Sequence, residues 1–108
     1  MKRGDITTVV VTGDYGKPRP AVVIQSDWLS ATDSVLVCLM TTTLRDAPLY
    51  RLSLSPNADN GLQQESQIML DKITAVRRDK CGTVIGHLDP TTLLALNKSM
   101  ALVVGIAD

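Results

Sequence analysis

Short apolar runs broken by polar punctuation fill most of this chain, and a helical period emerges only near its C-terminal end. Ile6 to Val11 is rich in β-branched residues and stops at Thr12-Gly13-Asp14, a turn signal, so a first strand is expected there. Ala21 to Gln25 is apolar on both faces and predicts a central second strand; Ser34 to Thr41 predicts a third, also buried. Between them, Ser26, Asp27, Ser30, Thr32 and Asp33 mark a connection around Trp28 with room for one helical turn. Tyr50 to Leu54 alternates polar and apolar, as a sheet with one wet face requires, and Ser55 to Gly61 reads as a turn. Ser66 to Leu70 and Lys72 to Val76 are expected as successive strands, and a segment around Gly82 to Gly86 closes the sheet.

Asp89-Pro90 opens the one strongly signalled helix, with Asp89 as N-cap and Pro90 at its first position. Leu93, Leu96, Met100, Val103 and Val104 recur on one face, while Leu94, Ala101 and Gly105 lie toward another. A terminal helix apolar on more than one side is expected to meet both its own sheet and a partner. Several short strands followed by one helix predict an α+β, mainly β architecture: a small antiparallel, partly closed barrel in a single domain spanning residues 1–108.

Composition narrows the picture. Phenylalanine is absent and there are one Trp and two Tyr, so the core must be aliphatic. Eleven basic residues balance eleven acidic ones, so contact with nucleic acid requires local clustering rather than a global field. Lys17, Arg45, Lys72, Arg77 and Arg78 are the candidates for such a cluster, with Arg77-Arg78-Asp79-Lys80 also reading as a solvated turn. Cys38 and Cys81 lack metal-ligand spacing, and Cys38 sits in an apolar run as a small buried hydrophobe. No signal-peptide pattern and no membrane-length apolar run occurs, so a cytoplasmic protein is expected. Gly-rich phosphate loops, HExxH and GxSxG are all missing. His87 is the only histidine, which rules out a two-histidine ribonuclease mechanism.

What remains is a set of residues at strand ends. Arg19 stands between Pro18 and Pro20, whose rings fix φ and keep the arginine extended. A guanidinium held on a stiff approach to a buried strand loses less freedom on gripping an anion, and its planar fork suits phosphate oxygens. Thr41 ends the third strand, and Asp71 with Lys72 follows the fifth. In a small barrel such ends gather at one rim, so an arginine, a hydroxyl and a carboxylate are expected around one cleft.

The ordered series of segments resembles the MazF/PemK toxins of toxin–antitoxin pairs over nearly the whole chain. The segments are Arg3-Gly4-Asp5-Ile6, Arg19-Pro20-Ala21-Val22-Val23-Ile24-Gln25, Val37-Cys38-Leu39-Met40-Thr41-Thr42, Ser66-Gln67-Ile68-Met69-Leu70-Asp71-Lys72-Ile73 and Gly82-Thr83-Val84-Ile85-Gly86-His87-Leu88. The resemblance implies an SH3-like barrel with a C-terminal helix and a homodimer. It also implies metal-independent, cofactor-free endoribonuclease activity on single-stranded mRNA, and neutralisation by a cognate antitoxin. By position, Arg19, Thr41 and Asp71 align with the family's catalytic residues, and Tyr15, Lys17, Gln25, Thr42 and Lys72 are the expected RNA contacts. The implied products are a 2′,3′-cyclic phosphate and a 5′-hydroxyl. Among the aromatics, Tyr15 is placed to reach RNA and Trp28 is expected to pack. This chain departs from the family pattern in a shorter Gly13–Pro18 loop and in Met69, where some members carry a second arginine. A CcdB-like gyrase poison on the same barrel, and an inactive antitoxin-binding homologue, stand as alternatives.

Overall fold

The computed structural model describes residues 1–13 and 16–107. Six strands precede one helix: β1 (Asp5–Val9), β2 (Arg19–Val23), β3 (Ser34–Thr41), β4 (Arg51–Leu54), β5 (Ser66–Arg77), β6 (Cys81–His87) and α1 (Pro90–Val103). They form one antiparallel sheet in the order β4-β5-β3-β2-β1-β6. The strands apolar on both faces, β2 and β3, sit in the middle of that order, as their composition demands. β4 and β6 are the two edges and do not pair, so the barrel stays open along one seam.

The connection between β4 and β5 reaches across toward that seam. The buried Asn60 side chain accepts from the amides of Asn57 and Leu62 and donates to the Ser55 carbonyl, and the His87 amide donates to the Asp59 carbonyl. A Cβ on Gly86 would collide with the Asn60 backbone, so the close approach requires glycine there.

Because the sheet curls, each face encloses a cluster. One is lined by Val9, Ala21, Val23, Val35, Val37 and Val76. The other holds Ile6, Val22, Cys38, Ile68 and Leu70 against Leu96 of α1. The absence of Phe is thus met by aliphatic and sulfur-bearing side chains in two clusters. Burial pushes the Cys38 thiol up to about 11, consistent with its place as a packing residue.

α1 begins where the sequence says it should: Asp89 accepts the Thr92 amide at 2.7 Å and Pro90 follows. Leu96 is fully buried, with Leu93, Met100 and Val103 packed beside it, whereas Leu94, Leu102, Val104 and Ile106 remain exposed. The Arg3 guanidinium reaches over from the N-terminal segment, donating to Asn97 Oδ1 and to the Ile24 carbonyl, and so ties the helix to the end of β2.

Two expectations are corrected. Trp28 does not pack; it is 93% exposed, and the 26–33 connection forms turns without a helix. That connection is held by Gln25 and Arg78 side chains instead of an apolar anchor. The two strands expected at 66–70 and 72–76 are one continuous strand, β5, interrupted by a bulge. Asp71 and its polar neighbour Lys72 mimic a turn in the sequence but occupy that bulge.

Truncating Leu96 to Ala should cost about 2–5 kcal/mol, read by urea denaturation, because the site is enclosed on all sides. The Thr92 amide bond holds the Asp89 carboxyl below its usual range. Its stabilising contribution is therefore complete above the unfolded carboxylate pKa and disappears as pH falls through the lowered folded value. Asp89→Asn, which keeps the cap but cannot titrate, should flatten that part of the acid-unfolding profile.

Candidate active site

The rim residues are set by strand register. Val9 faces Arg19 across β1–β2, and Ala21 faces Leu39 across β2–β3. Continuing the second register toward the rim sets Arg19 level with Thr41, at the first residue of β2 and the last of β3. Alternation puts both on the face that carries Ala21, Val23, Val35 and Val37. The two side chains therefore open onto one cleft of about 480 Å³, lined also by Leu39, Thr42, Thr43, Ser66, Met69 and Lys72.

Thr41 is half-buried and its Oγ1 accepts the Thr43 amide at 3.0 Å, leaving its own hydrogen to be donated outward. Arg19 is exposed at the cleft edge, with the two flanking prolines limiting its backbone. Arginine, hydroxyl donor and lysine around one hollow can bind a phosphate group and stabilise added negative charge on it. The described residues lining the cleft include no carboxylate and no histidine.

The bulge in β5 decides which acid–base neighbours join them. Cys38 pairs with Ile73 and Met40 with Ile68, so two steps along β3 oppose five along β5. The odd surplus reverses the alternation, so Gln67 and Met69 share a face with Lys72, Thr74 and Val76. Lys72 consequently lines the cleft, while Asp71 falls with Ile73 on the Cys38 side. The Asp71 charge indeed acts on the Cys38 thiol, a member of the helix-side core. Arg19, Thr41, Thr42 and Lys72 are brought together; Asp71 is not.

Gln25 is also elsewhere. Its buried amide donates to the Leu29 carbonyl and Thr32 Oγ1 and accepts the Leu36 amide, which commits it to the 26–34 connection. Lys17 is exposed on the β1–β2 tip and does not line the cleft. Tyr15 lies outside the described residues. Of the other basic residues, Arg77 pairs with Asp79 at 2.6 Å and Arg78 holds the 29–32 backbone. His87 ends β6 opposite Asp5, away from the cleft.

Sequence reasoning missed the residues that build the threonine wall. Gln67, buried on β5 directly opposite Thr41, accepts the Arg45 amide at 3.0 Å and donates to the Arg45 carbonyl at 2.9 Å. Arg51, opposite Met69 on β4, donates to the Thr43 carbonyl and to Gln67 Oε1. The available signal was an amide side chain inside an otherwise apolar strand, which must find partners if buried.

A family model described as the PemK-like, MazF-like toxin of type II toxin–antitoxin systems matches residues 2–104. The chain is 41% identical over 108 residues to the probable endoribonuclease MazF of Mycolicibacterium smegmatis, with 99% of each chain covered. Among solved structures, an endoribonuclease in complex with its cognate antitoxin from a mycobacterial species superposes with a TM-score of 0.83 at 22% identity, covering 98% of this chain and 96% of that one. The Mycobacterium tuberculosis toxin MazF-mt6 gives a TM-score of 0.80 at 22% identity over 94% and 96%. A MazE–MazF structure from Deinococcus radiodurans gives 0.73 at 17% over 97% and 95%. At those identities the structural likeness is one of fold. The sequence match favours the ribonuclease-toxin reading over a gyrase poison.

Proposed function

We infer a function from one premise: the chain belongs to the PemK-like, MazF-like toxin family of type II toxin–antitoxin systems. It is an endoribonuclease toxin that cuts single-stranded mRNA in the cleft between the ends of β2 and β3 and is neutralised by a cognate antitoxin. The observation that carries this reading is that Arg19 and Thr41, at the ends of adjacent strands, open on one cleft with Lys72.

RNA brings its own nucleophile, the 2′-hydroxyl, so the protein need only place the phosphate and stabilise what forms on it. The 2′-oxygen attacks phosphorus and gives its proton to a solvent water, since no carboxylate or histidine lines the cleft among the described residues; the bond to the 5′-oxygen breaks and that oxygen takes a proton from water. The products are a 2′,3′-cyclic phosphate and a 5′-hydroxyl. Arg19 grips the non-bridging oxygens and stabilises the extra charge of the phosphorane. Thr41 donates its hydroxyl hydrogen to one of those oxygens and fixes the attack geometry. Lys72 and Thr42 hold neighbouring parts of the backbone. Asp71, on the other face of β5, has no part in this scheme.

The protein acts as a homodimer in one compact domain. In support, an open groove of about 510 Å³ lies beside the C-terminal end of α1, bordered by Leu36, Ile73, Met100, Ala101, Val104 and Ile106. Leu36, Ile73, Val104 and Ile106 are exposed there, although the helix is already packed on its own sheet through Leu96. Among the described residues, no helix is long and apolar enough to cross a membrane.

Purified protein should cut RNA with chelator present, because Arg19, Thr41 and Lys72 supply the charge stabilisation on the phosphate that a metal ion would otherwise give. Removing one charge-stabilising donor typically costs ~10²–10³ in rate. Arg19→Ala should therefore lose about that factor in cleavage while its circular dichroism spectrum is unchanged; cutting at the parental rate would remove Arg19 from the mechanism. A substrate with deoxyribose at the cut site should bind but resist cleavage, and its cleavage would require a different nucleophile.

A further inference from the structure

The cleft's threonine wall runs from Thr41, the last residue of β3, into an irregular segment, residues 42–45, that leaves the sheet. Such segments ordinarily sample several conformations, yet this one is clamped at several points from behind. Gln67 Oε1 accepts the Arg45 amide and Gln67 Nε2 donates to the Arg45 carbonyl, at 3.0 and 2.9 Å, so one side-chain amide satisfies both backbone groups of a single residue. Nε2 also donates to Ser53 Oγ of β4 at 3.2 Å. Arg51 Nη1 bridges the Thr43 carbonyl and Gln67 Oε1, both at 3.2 Å. The chain of contacts ends on Thr41 Oγ1, which accepts the Thr43 amide.

The arrangement is paired with burial. Gln67 is 6% exposed, and Arg51 Nε is buried with no hydrogen-bond partner among the described residues. A buried amide is costly unless each of its polar atoms is met, and a buried guanidinium nitrogen left unmet is a local penalty. An apolar residue at 67, between Ser66 and Ile68, would suit the strand and avoid this. What Gln67 and Arg51 accomplish instead is to hold Thr43 and Arg45, and through the Thr43 amide to set the Thr41 hydroxyl. Neither side chain lines the cleft.

We propose that Gln67 and Arg51 are positioning residues for RNA cleavage: they lock the 41–45 segment so that Thr41 presents its hydroxyl hydrogen to the scissile phosphate beside Arg19. The proposal rests on the functional reading above and deepens it. Arg51 stands across the sheet from Met69, and its guanidinium is turned to the loop behind the cleft rather than into it.

A double-mutant cycle tests the assignment. Single-turnover cleavage and affinity for an RNA with deoxyribose at the cut site would be measured for the parent, Gln67→Ala, Arg51→Lys, Thr41→Val and the two doubles with Thr41→Val. Misplacing a reacting group by about 1 Å costs on the order of 10²-fold. Gln67→Ala should thus slow cleavage by roughly ten- to a hundredfold with little change in affinity. In the Thr41→Val background the same substitution should have almost no further effect, because its target is gone. Arg51→Lys, which keeps the charge but loses the fork, should behave likewise and more mildly; it carries the test if Gln67→Ala fails to fold. Equal losses with and without Thr41, or a loss of affinity matching the loss of rate, would overturn the positioning role. So would cleavage at the parental rate by both variants while Thr41→Val is slow. A parent that cuts no RNA would instead overturn the functional reading beneath it.

Discussion

The antiparallel register between β2 and β3 is the constraint on which the site depends. With Ala21 opposite Leu39, the two strands run to the rim in step and end on Arg19 and Thr41. A slip of one residue would turn Arg19 to the helix-side face and put Val22 and Ala21 in each other's layers. The register is protected because both faces are buried. Ala21 and Val23 pack into one cluster and Val22 into the other, so any slip disturbs two cores together. The chemistry at the rim is thereby secured by aliphatic packing well below it.

β5 supplies the second condition. Its long course pairs with β3 along one side and β4 along the other, and the bulge opposite Leu39 lets one strand serve two alternations. Before the bulge, Gln67 and Met69 face the cleft side; after it, Lys72, Thr74 and Val76 do. Without the extra residues Lys72 would sit on the helix side and the cleft would face Asp71. A local irregularity in one strand thus determines whether a cation or a carboxylate flanks the Arg19–Thr41 pair, and with it the kind of anion chemistry the cleft favours.

Much of this was legible in the chain itself. The apolar blocks marked β1, β2, β3 and β4 closely, and Asp89-Pro90 marked the start of α1 to the residue, since a cap and a proline at N1 are local signals. Arg19 between two prolines stood out for the same reason. What was not legible depended on pairing between distant segments. Asp71-Lys72 carries the polar signature of a turn, and only the unequal spacing of β3 and β5 partners shows that it is a bulge. Gln25 and Gln67 are both amides beside apolar runs, and nothing local says that one secures the 26–34 connection and the other the 41–45 wall. Trp28 was expected to pack, yet it stands on a connection whose residues 26–33, its apolar neighbour Leu29 included, are all exposed, so nothing covers it.

The most direct test of the account is a crystal structure of the protein with a single-stranded RNA carrying deoxyribose at the cut site. The scissile phosphate is expected in the cleft between β2 and β3, with the Arg19 guanidinium and Thr41 Oγ1 each about 3 Å from its non-bridging oxygens. An RNA bound on another surface, with Arg19 and Thr41 uncontacted, would contradict it.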